Sequence, residues 1–355
     1  MLEAIANPFG ASAALLRALL GGLDPALVEF AIGVVGAVIL LGFAPTSVLF
    51  WVYAERRVMA RLQARIGPNR VGPFGALQTV ADALKLLSKE DIIPAEADRW
   101  VFVLAPVVVL VPALLVYAVI PFGPGVVLAD LNIGLLYLIA ISSVSTVGLV
   151  MAGWASNNKY SLLGGMRAAA QTISYELPLA LSVVGVVVLA GSLSLPAIVE
   201  AQRSAWFILW QPIGFLVFFI AGIAETNRTP FDLVEGESEL IGGYHTEYSG
   251  MRFALFFLAE YLHAFALAAV TTVLFFGGWH GPPLIGFLLP PWLWFALKAL
   301  VFMFVLFWIR ATLPRLRVDQ LMGFGWKVLL PLAILNIFLA GIEAEVWRAL
   351  GLRQI

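Results

Sequence analysis

The sequence predicts an all-α, polytopic transmembrane helical bundle of about eight spans, with short amphipathic helices at its interfaces. Three observations lead to it. The 355-residue chain is 61% hydrophobic and only 12% charged, whereas a soluble domain is closer to half apolar and about a quarter charged. Mean hydropathy is +0.96, and apolar runs of about 20 residues, enough to cross a bilayer as a helix, recur along the chain. Basic residues gather in alternate loops, as they do in membrane proteins with a fixed orientation.

In chain order, residues 5–20 read as a short amphipathic helix on the membrane surface, within an N-terminal interfacial segment over 1–27. The first span covers 28–53, with Pro45 as a kink site. It ends at Glu55-Arg56-Arg57, and a second short helix is expected there. Arg57, Arg61 and Arg65 recur on one face of it, beside Val58, Leu62 and Ile66. The run IGPNRVGP at 66–73 then breaks the helix twice. Residues 74–89 are amphipathic again: Phe74, Leu77, Leu84 and Leu87 are apolar, while Gln78, Asp82, Lys85 and Lys89 form the polar face. Further spans are predicted at 100–120, 131–154, 173–189, 210–224, 253–276, 292–309 and 326–346. Tryptophans such as Trp51, Trp100, Trp154, Trp210, Trp292 and Trp326 stand near span ends, as interface anchors do. No internal repeat is visible, so the inverted-repeat pattern of many transporters is missing.

Loop charge predicts the orientation. The loops after spans one, three, five and seven, with their flanks, hold 16 of the 21 basic residues, which puts them in the cytoplasm and both termini outside. The whole of 1–355 is one integral membrane domain, with a cytoplasmic amphipathic loop at 54–99 and a cytoplasmic acidic loop at 225–252. The first 22 residues hold one basic side chain, Arg17, and so lack the basic segment of a cleaved signal.

Composition excludes several functions. With no cysteine, the chain holds no disulfide and no cysteine-ligated iron–sulfur cluster. There is no dinucleotide-binding glycine fingerprint and no phosphate-binding P-loop. His245, His263 and His280 lack metal-ligand spacing and read as hydrogen-bonded structural residues. A net charge of −1 gives no reason to expect nucleic acid.

The stretch from Glu225 to Glu260 carries the chemistry. Seven carboxylates fall in 36 residues (Glu225, Asp232, Glu235, Glu237, Glu239, Glu247 and Glu260), flanked by two apolar spans. Acid groups beside hydrocarbon are costly unless solvated, paired or protonated. A solvated loop is the plain alternative. Against it, the run is interleaved with Leu233, Leu240, Ile241, Tyr244 and Tyr248, and it starts and ends inside spans. Each carboxylate also has a structural reading. Glu55 can pair with Arg56, Arg57 or another basic residue, Glu225 with Arg228 at i+3, and Glu260 with His263 at i+3 or with Lys298 from another span. Glu176 is expected in the first turns of its helix, where Pro178 loosens the backbone. As a set they favour proton handling, because waters can link intramembrane carboxylates into a path. The amphipathic helices, the stretch 159–176 and the acidic loop converge at one face, where they could wall a chamber for an amphiphile with a polar head and an isoprenoid tail.

The motifs AERR at 54–57, RIGPNRVGPFG at 65–75, ADALK at 81–85, GWASNNKYSLLG at 153–164, SYE at 174–176, RTPFD at 228–232, GYHTEYS at 243–249 and AEY at 259–261 resemble the H-subunit family of the proton-pumping NADH:quinone oxidoreductase, bacterial respiratory complex I. The resemblance covers nearly all the chain beyond the first 25 residues. It implies a translocase subunit that anchors the peripheral redox arm, forms much of the quinone chamber and couples quinone reduction to proton translocation. Glu55, Arg56, Arg65, Asp82, Arg228 and Asp232 would line or shape the chamber. Glu235, Glu237, Glu239 and Glu247 would form the coupling loop, and Glu176, Glu225 and Glu260 the proton path. The implied substrate is a quinone such as ubiquinone. No cofactor is expected on this chain; FMN and iron–sulfur clusters would sit on partner subunits. Those partners are the peripheral-arm subunits at the quinone site, small membrane subunits and antiporter-like subunits, in a bacterial inner membrane. Two departures stand out. Val234-Glu235-Gly236-Glu237 replaces the family's usual Pro followed by Glu-Ala-Glu, and the carboxylate some members carry near Ser143 is missing. A stand-alone ion transporter, a purely architectural anchor, and the equivalent subunit of a related complex with another electron donor remain as alternatives.

Overall fold

The computed structural model describes residues 17–18, 24–234, 236–282 and 286–349, except for the side chains at 237, 238 and 287. The predicted helix at 5–20 lies almost wholly outside these residues. Among them no strand forms; Gly123 and Val126 make an isolated bridge. The helices are α1 (Pro25–Leu62), α2 (Gln78–Ser88), α3 (Arg99–Val116), α4 (Gly134–Ala155), α5 (Lys159–Ala190), α6 (Leu195–Ala201), α7 (Pro212–Glu225), α8 (Glu237–Leu240), α9 (Gly250–Phe275), α10 (Pro291–Thr312), α11 (Val318–Phe324) and α12 (Leu330–Ala349). Among the described residues, seven helical segments are long and apolar enough to cross a membrane, the last being α11 and α12 joined through a π-helical turn at Gly325–Leu329. The predicted span at 210–224 is the eighth, but as α7 it has only 14 residues.

Three helices run further than hydropathy predicts. The helix expected to start after Glu55 is the end of α1, which continues through Pro45 to Leu62. At 38 residues it is about 57 Å long, against a hydrocarbon core of about 30 Å. Nothing between Tyr53 and Leu62 breaks a helix, so the chain stays helical after it leaves the apolar belt. Asp24 caps the start of α1 by accepting from the Ala26 amide at 2.9 Å, and Pro25 occupies the first turn. Similarly, α5 begins at Lys159, 14 residues before the predicted 173, with the Asn158 side chain accepting from the Tyr160 amide. Glu176 is therefore deep within its helix and not in its first turns. The last span starts at Val318 instead of 326.

The break after α1 is built from glycine. Gly75 has φ +76°, and a Cβ there would lie 2.3 Å from the Pro68 carbonyl. The chain folds back over itself, and α2 starts at Gln78 after the short turn Pro73–Gly75.

Helix α9 is the hub of the bundle. It packs against α1, α3, α7 and α10, and most of its length from Tyr261 to Phe275 is buried. Tyr117 of α3 donates to its Leu262 carbonyl at 2.9 Å. Rings reinforce the contact: Phe102 stacks on Tyr248 at 4.0 Å, and Trp51 on Phe265 at 5.1 Å. Outward faces of α1, α10 and α12 expose residues such as Phe30, Phe304 and Phe338, the pattern of an apolar surround.

The connections holding most of the basic residues are stitched together at one end. The Asp98 amide donates to Ala155, Asn158 donates to Glu247, Arg252 pairs with Asp91, and the Leu316 amide donates to Pro230. The loop after α7 is pressed onto α5 at Gly164, where a Cβ would stand 2.6 Å from the Tyr244 nitrogen and 2.8 Å from the Gly243 backbone. Backbone cannot give way as a side chain does. Gly164→Ala is expected to lower stability by about 1–3 kcal/mol through overpacking. Gly33→Ala, with no atom within 4 Å of its Cβ, is expected to be neutral. The midpoints of heat unfolding for the two purified variants, compared with wild type, check this.

Candidate functional site

The shortness of α7 creates the site. Fourteen residues rise about 21 Å, roughly 9 Å less than a bilayer core. The helix stops at Glu225 before it reaches the loop-bearing end, and the acidic stretch folds into the bundle instead of out of it. Arg228, three residues on, is 3% exposed.

A buried guanidinium is tolerated only with carboxylates around it. Arg228 Nη1 donates to Glu55 Oε2 at 3.1 Å, and its Nε lies 3.1 Å from Glu260 Oε1. Its guanidinium sits over the Tyr261 ring, 4.4 Å from the centroid. Glu55, also 3% exposed, is held on its other oxygen by Arg310 of α10 and lies within hydrogen-bond reach of the Tyr261 hydroxyl. Asp232 is close enough to Glu260 for their charges to interact. Four segments thus meet: α1 through Glu55, the loop after α7 through Arg228 and Asp232, α9 through Glu260 and Tyr261, and α10 through Arg310. Within this group three carboxylates face two guanidiniums. Burial strengthens every term, so a charge arriving nearby shifts the balance of the whole set. The Arg228 Nε and Nη2 donors make no aligned hydrogen bond.

Several pairings expected from sequence do not form: Glu55 takes Arg228 and Arg310 instead of Arg56 or Arg57, and Glu260 makes no ion pair with His263. Arg228 pairs with Glu55 and Glu260, not with Glu225. Lys298 does not reach Glu260; its Nζ donates to the Phe276, Gly278 and His280 carbonyls at 2.6, 3.0 and 2.5 Å. That amine closes the loop after α9 at the opposite end.

The other residues expected to line a chamber divide. Arg56 pairs with Asp82 at 2.5 Å, and Gln78 donates to the same carboxylate, so α2 is pinned to the end of α1. Burial pushes the Asp82 carboxyl up, but the hydrogen bonds from Arg56 and Gln78 outweigh it and hold it below its ordinary value. Arg65 stands apart: it is exposed and donates to Gln63. In the acidic loop, Glu239 accepts from Arg167 at 2.6 Å, which holds its carboxyl low. Glu247 accepts from Asn158 at 2.7 Å. Glu235 and the Glu237 side chain lie outside the described residues.

Deeper in, Glu225 and Glu176 are near enough for their charges to interact, and Ser142 is within hydrogen-bond reach of Glu225. Two small cavities flank Glu225. One, of about 50 Å³, is lined by Ser142, Thr226 and His263 among apolar side chains. The other, of about 40 Å³, is lined by Glu225, Glu260, His263, Ser145, Thr146 and Thr172. Glu260 therefore borders the charge cluster on one side and a polar cavity leading to Glu225 on the other.

The profile of the NADH dehydrogenase family matches residues 35–341. The chain belongs to this family. It is 58% identical over 319 residues to a protein of Anoxybacillus flavithermus, covering 90% of this chain and 94% of the relative. It is 59% identical over 307 residues to one of Dehalococcoides mccartyi, covering 86% and 85%, and 59% identical over 314 residues to one of Bacillus cereus, covering 88% and 94%. Each relative is named as the H subunit of an NADH-quinone oxidoreductase.

Four contributors to this family member's site escaped sequence reasoning. Arg310 read as the basic end of a span, and Tyr261 as part of a motif. Ser142 carried no signal of its own, and His263 read as a structural histidine or a partner of Glu260. For Arg310 a usable signal existed: it directly follows an apolar span, where an arginine needs a partner.

Two outcomes follow from these contacts. Arg228→Met leaves Glu260 buried without its cation and is expected to cost about 3–5 kcal/mol. Adding Glu260→Gln should recover much of that, since the Glu55–Arg310 pair survives; the yield of folded chain from membranes reads both. His245, in the acidic loop, has its pKa pushed down to about 4 from 6.5 by burial. Between those values the unfolded chain takes up a proton that the folded one refuses. Stability is thus full above about pH 6.5 and falls toward pH 4. In His245→Gln this loss should shrink, as measured by thermal unfolding across that range.

Proposed function

We propose that this chain is the H subunit of a membrane-bound NADH-quinone oxidoreductase, and that it joins quinone reduction to proton movement through the Arg228 cluster. The observation that carries the reading is Glu260, whose carboxylate meets Arg228 on one side and the cavity containing Glu225 on the other. The likeness in name and sequence to the three relatives supports the subunit assignment. NADH, flavin and iron–sulfur chemistry then belong to partner subunits, as do the residues that protonate the reduced head group.

In this reading the loop-bearing end faces the cytoplasm, in keeping with its basic residues, and both termini face outward. Glu55, Arg56, Asp82, Arg228 and Asp232 shape the polar end of a quinone chamber. Arg65, exposed and with its side chain donating to Gln63, stands beyond that polar end. Reduction of a quinone takes two electrons and two protons, so the charge near the chamber changes during turnover. At an effective dielectric of about 20, one charge acts on another about 5 Å away with about 3 kcal/mol. That suffices to change the proton occupancy of a carboxylate held in a cluster with one acid more than base. Glu239 and Glu247, with Glu235 and Glu237, set the loop that carries Asp232 and Arg228. Glu260, Glu225 and Glu176 receive the shift and begin the proton path toward neighbouring membrane subunits.

Glu225→Gln is expected to lower quinone reductase activity in the assembled complex and to abolish proton pumping with it, while Asp232→Asn weakens both. Measuring NADH:quinone activity and pH-gradient formation in the same vesicles decides this. Unchanged rates in a fully assembled Glu225→Gln complex would remove Glu225 from the path.

A further inference from the structure

The two cavities beside Glu225 share a side chain that the acid-to-acid path leaves out. His263 stands on α9, three residues from Glu260, and lines both. Its Nε2 is buried and makes no hydrogen bond to the protein. A buried imidazole nitrogen without a partner is costly, and it is satisfied by water wherever space allows. Space does allow. At about 50 and 40 Å³ of room for water-sized centres, each cavity exceeds the roughly 10–15 Å³ that one water needs. Polar partners are present as well. The first cavity offers Ser142, Thr226 and Glu225; the second offers Ser145, Thr146, Thr172, Glu225 and Glu260. A dry cavity would be apolar throughout, and these are not.

We infer that His263 anchors ordered water in these two cavities, and that this water, held by Nε2, is the link across which a proton passes between Glu260 and Glu225. The link needs no net change in the imidazole. Water bound at Nε2 accepts a proton from the Glu260 side and hands one to Glu225 by exchange along the hydrogen bonds, and each carboxylate changes by one proton. His263 is thus a positioning residue for the path. The inference rests on the proposed function, since it names the medium of a transfer that function requires.

The test uses the assembled complex. His263→Phe fills similar volume and removes the nitrogen, whereas His263→Gln keeps a polar end. In His263→Phe, proton pumping and coupled quinone reduction should fall roughly tenfold, with NADH-dependent dye reduction and assembly unchanged. The solvent deuterium isotope effect on quinone reduction should rise as proton delivery becomes limiting. His263→Gln should restore much of the rate and the wild-type isotope effect. A packing role alone would lower assembly and leave the isotope effect alone, and that outcome would overturn the inference. So would a structure of the complex resolving ordered water but showing none at Nε2. Either failure leaves the proposed function standing if Glu225→Gln still abolishes pumping; if Glu225→Gln is silent, the proposed function fails first.

Discussion

The fold depends on keeping one guanidinium charged inside an apolar bundle. Arg228 has almost no access to solvent, so its charge is supportable only while Glu55 and Glu260 stand against it and Tyr261 covers its face. Those partners come from the first span and the central span, and Arg310 from the seventh holds the far oxygen of Glu55. Removing any member exposes the others to an unpaired burial cost. The cluster therefore fastens the loop-bearing end together and makes it sensitive to charge.

The geometry follows from helix length. Helix α7 is a third shorter than a membrane core requires, so the segment after it turns inward at the depth where water is scarce. Glycines permit the inward packing: Gly164 lets the loop backbone lie on α5, and Gly75 lets the connection after α1 double back. The same two helices overrun the bilayer, and their charged ends form the walls into which the loop descends. Short and long helices thus cooperate to place carboxylates beside hydrocarbon without leaving them bare.

Much of this was legible in the sequence, and the gaps have physical causes. Hydropathy found every span, because crossing a bilayer demands about 20 apolar residues. It misjudged where α1 ends and where α5 and the last helix begin, because a helix runs on past the apolar belt to its cap or turn, such as Gln63-Ala64 after α1 and Asn158 before α5, and does not stop at the first charge. The acidic stretch was readable as folded from its interleaved Leu and Tyr residues. Its pairings were not, because Glu55 and Arg228 are 173 residues apart and Glu55 and Arg310 255 apart. Local spacing suggested Glu225 with Arg228, but Glu225 faces back into the bundle toward Ser142 and Glu176. Arg65 carried the same motif signal as Arg56, yet only Arg56 is drawn to α2, by Asp82.

Redox-induced infrared difference spectroscopy on the intact complex addresses the central claim most directly. Reducing the bound quinone should change carboxyl stretching bands, and one of those changes should vanish when Glu260 alone is replaced by glutamine and the complex remains assembled. If the spectrum of that variant matches wild type, quinone chemistry does not reach Glu260, and the Arg228 cluster is scaffolding only.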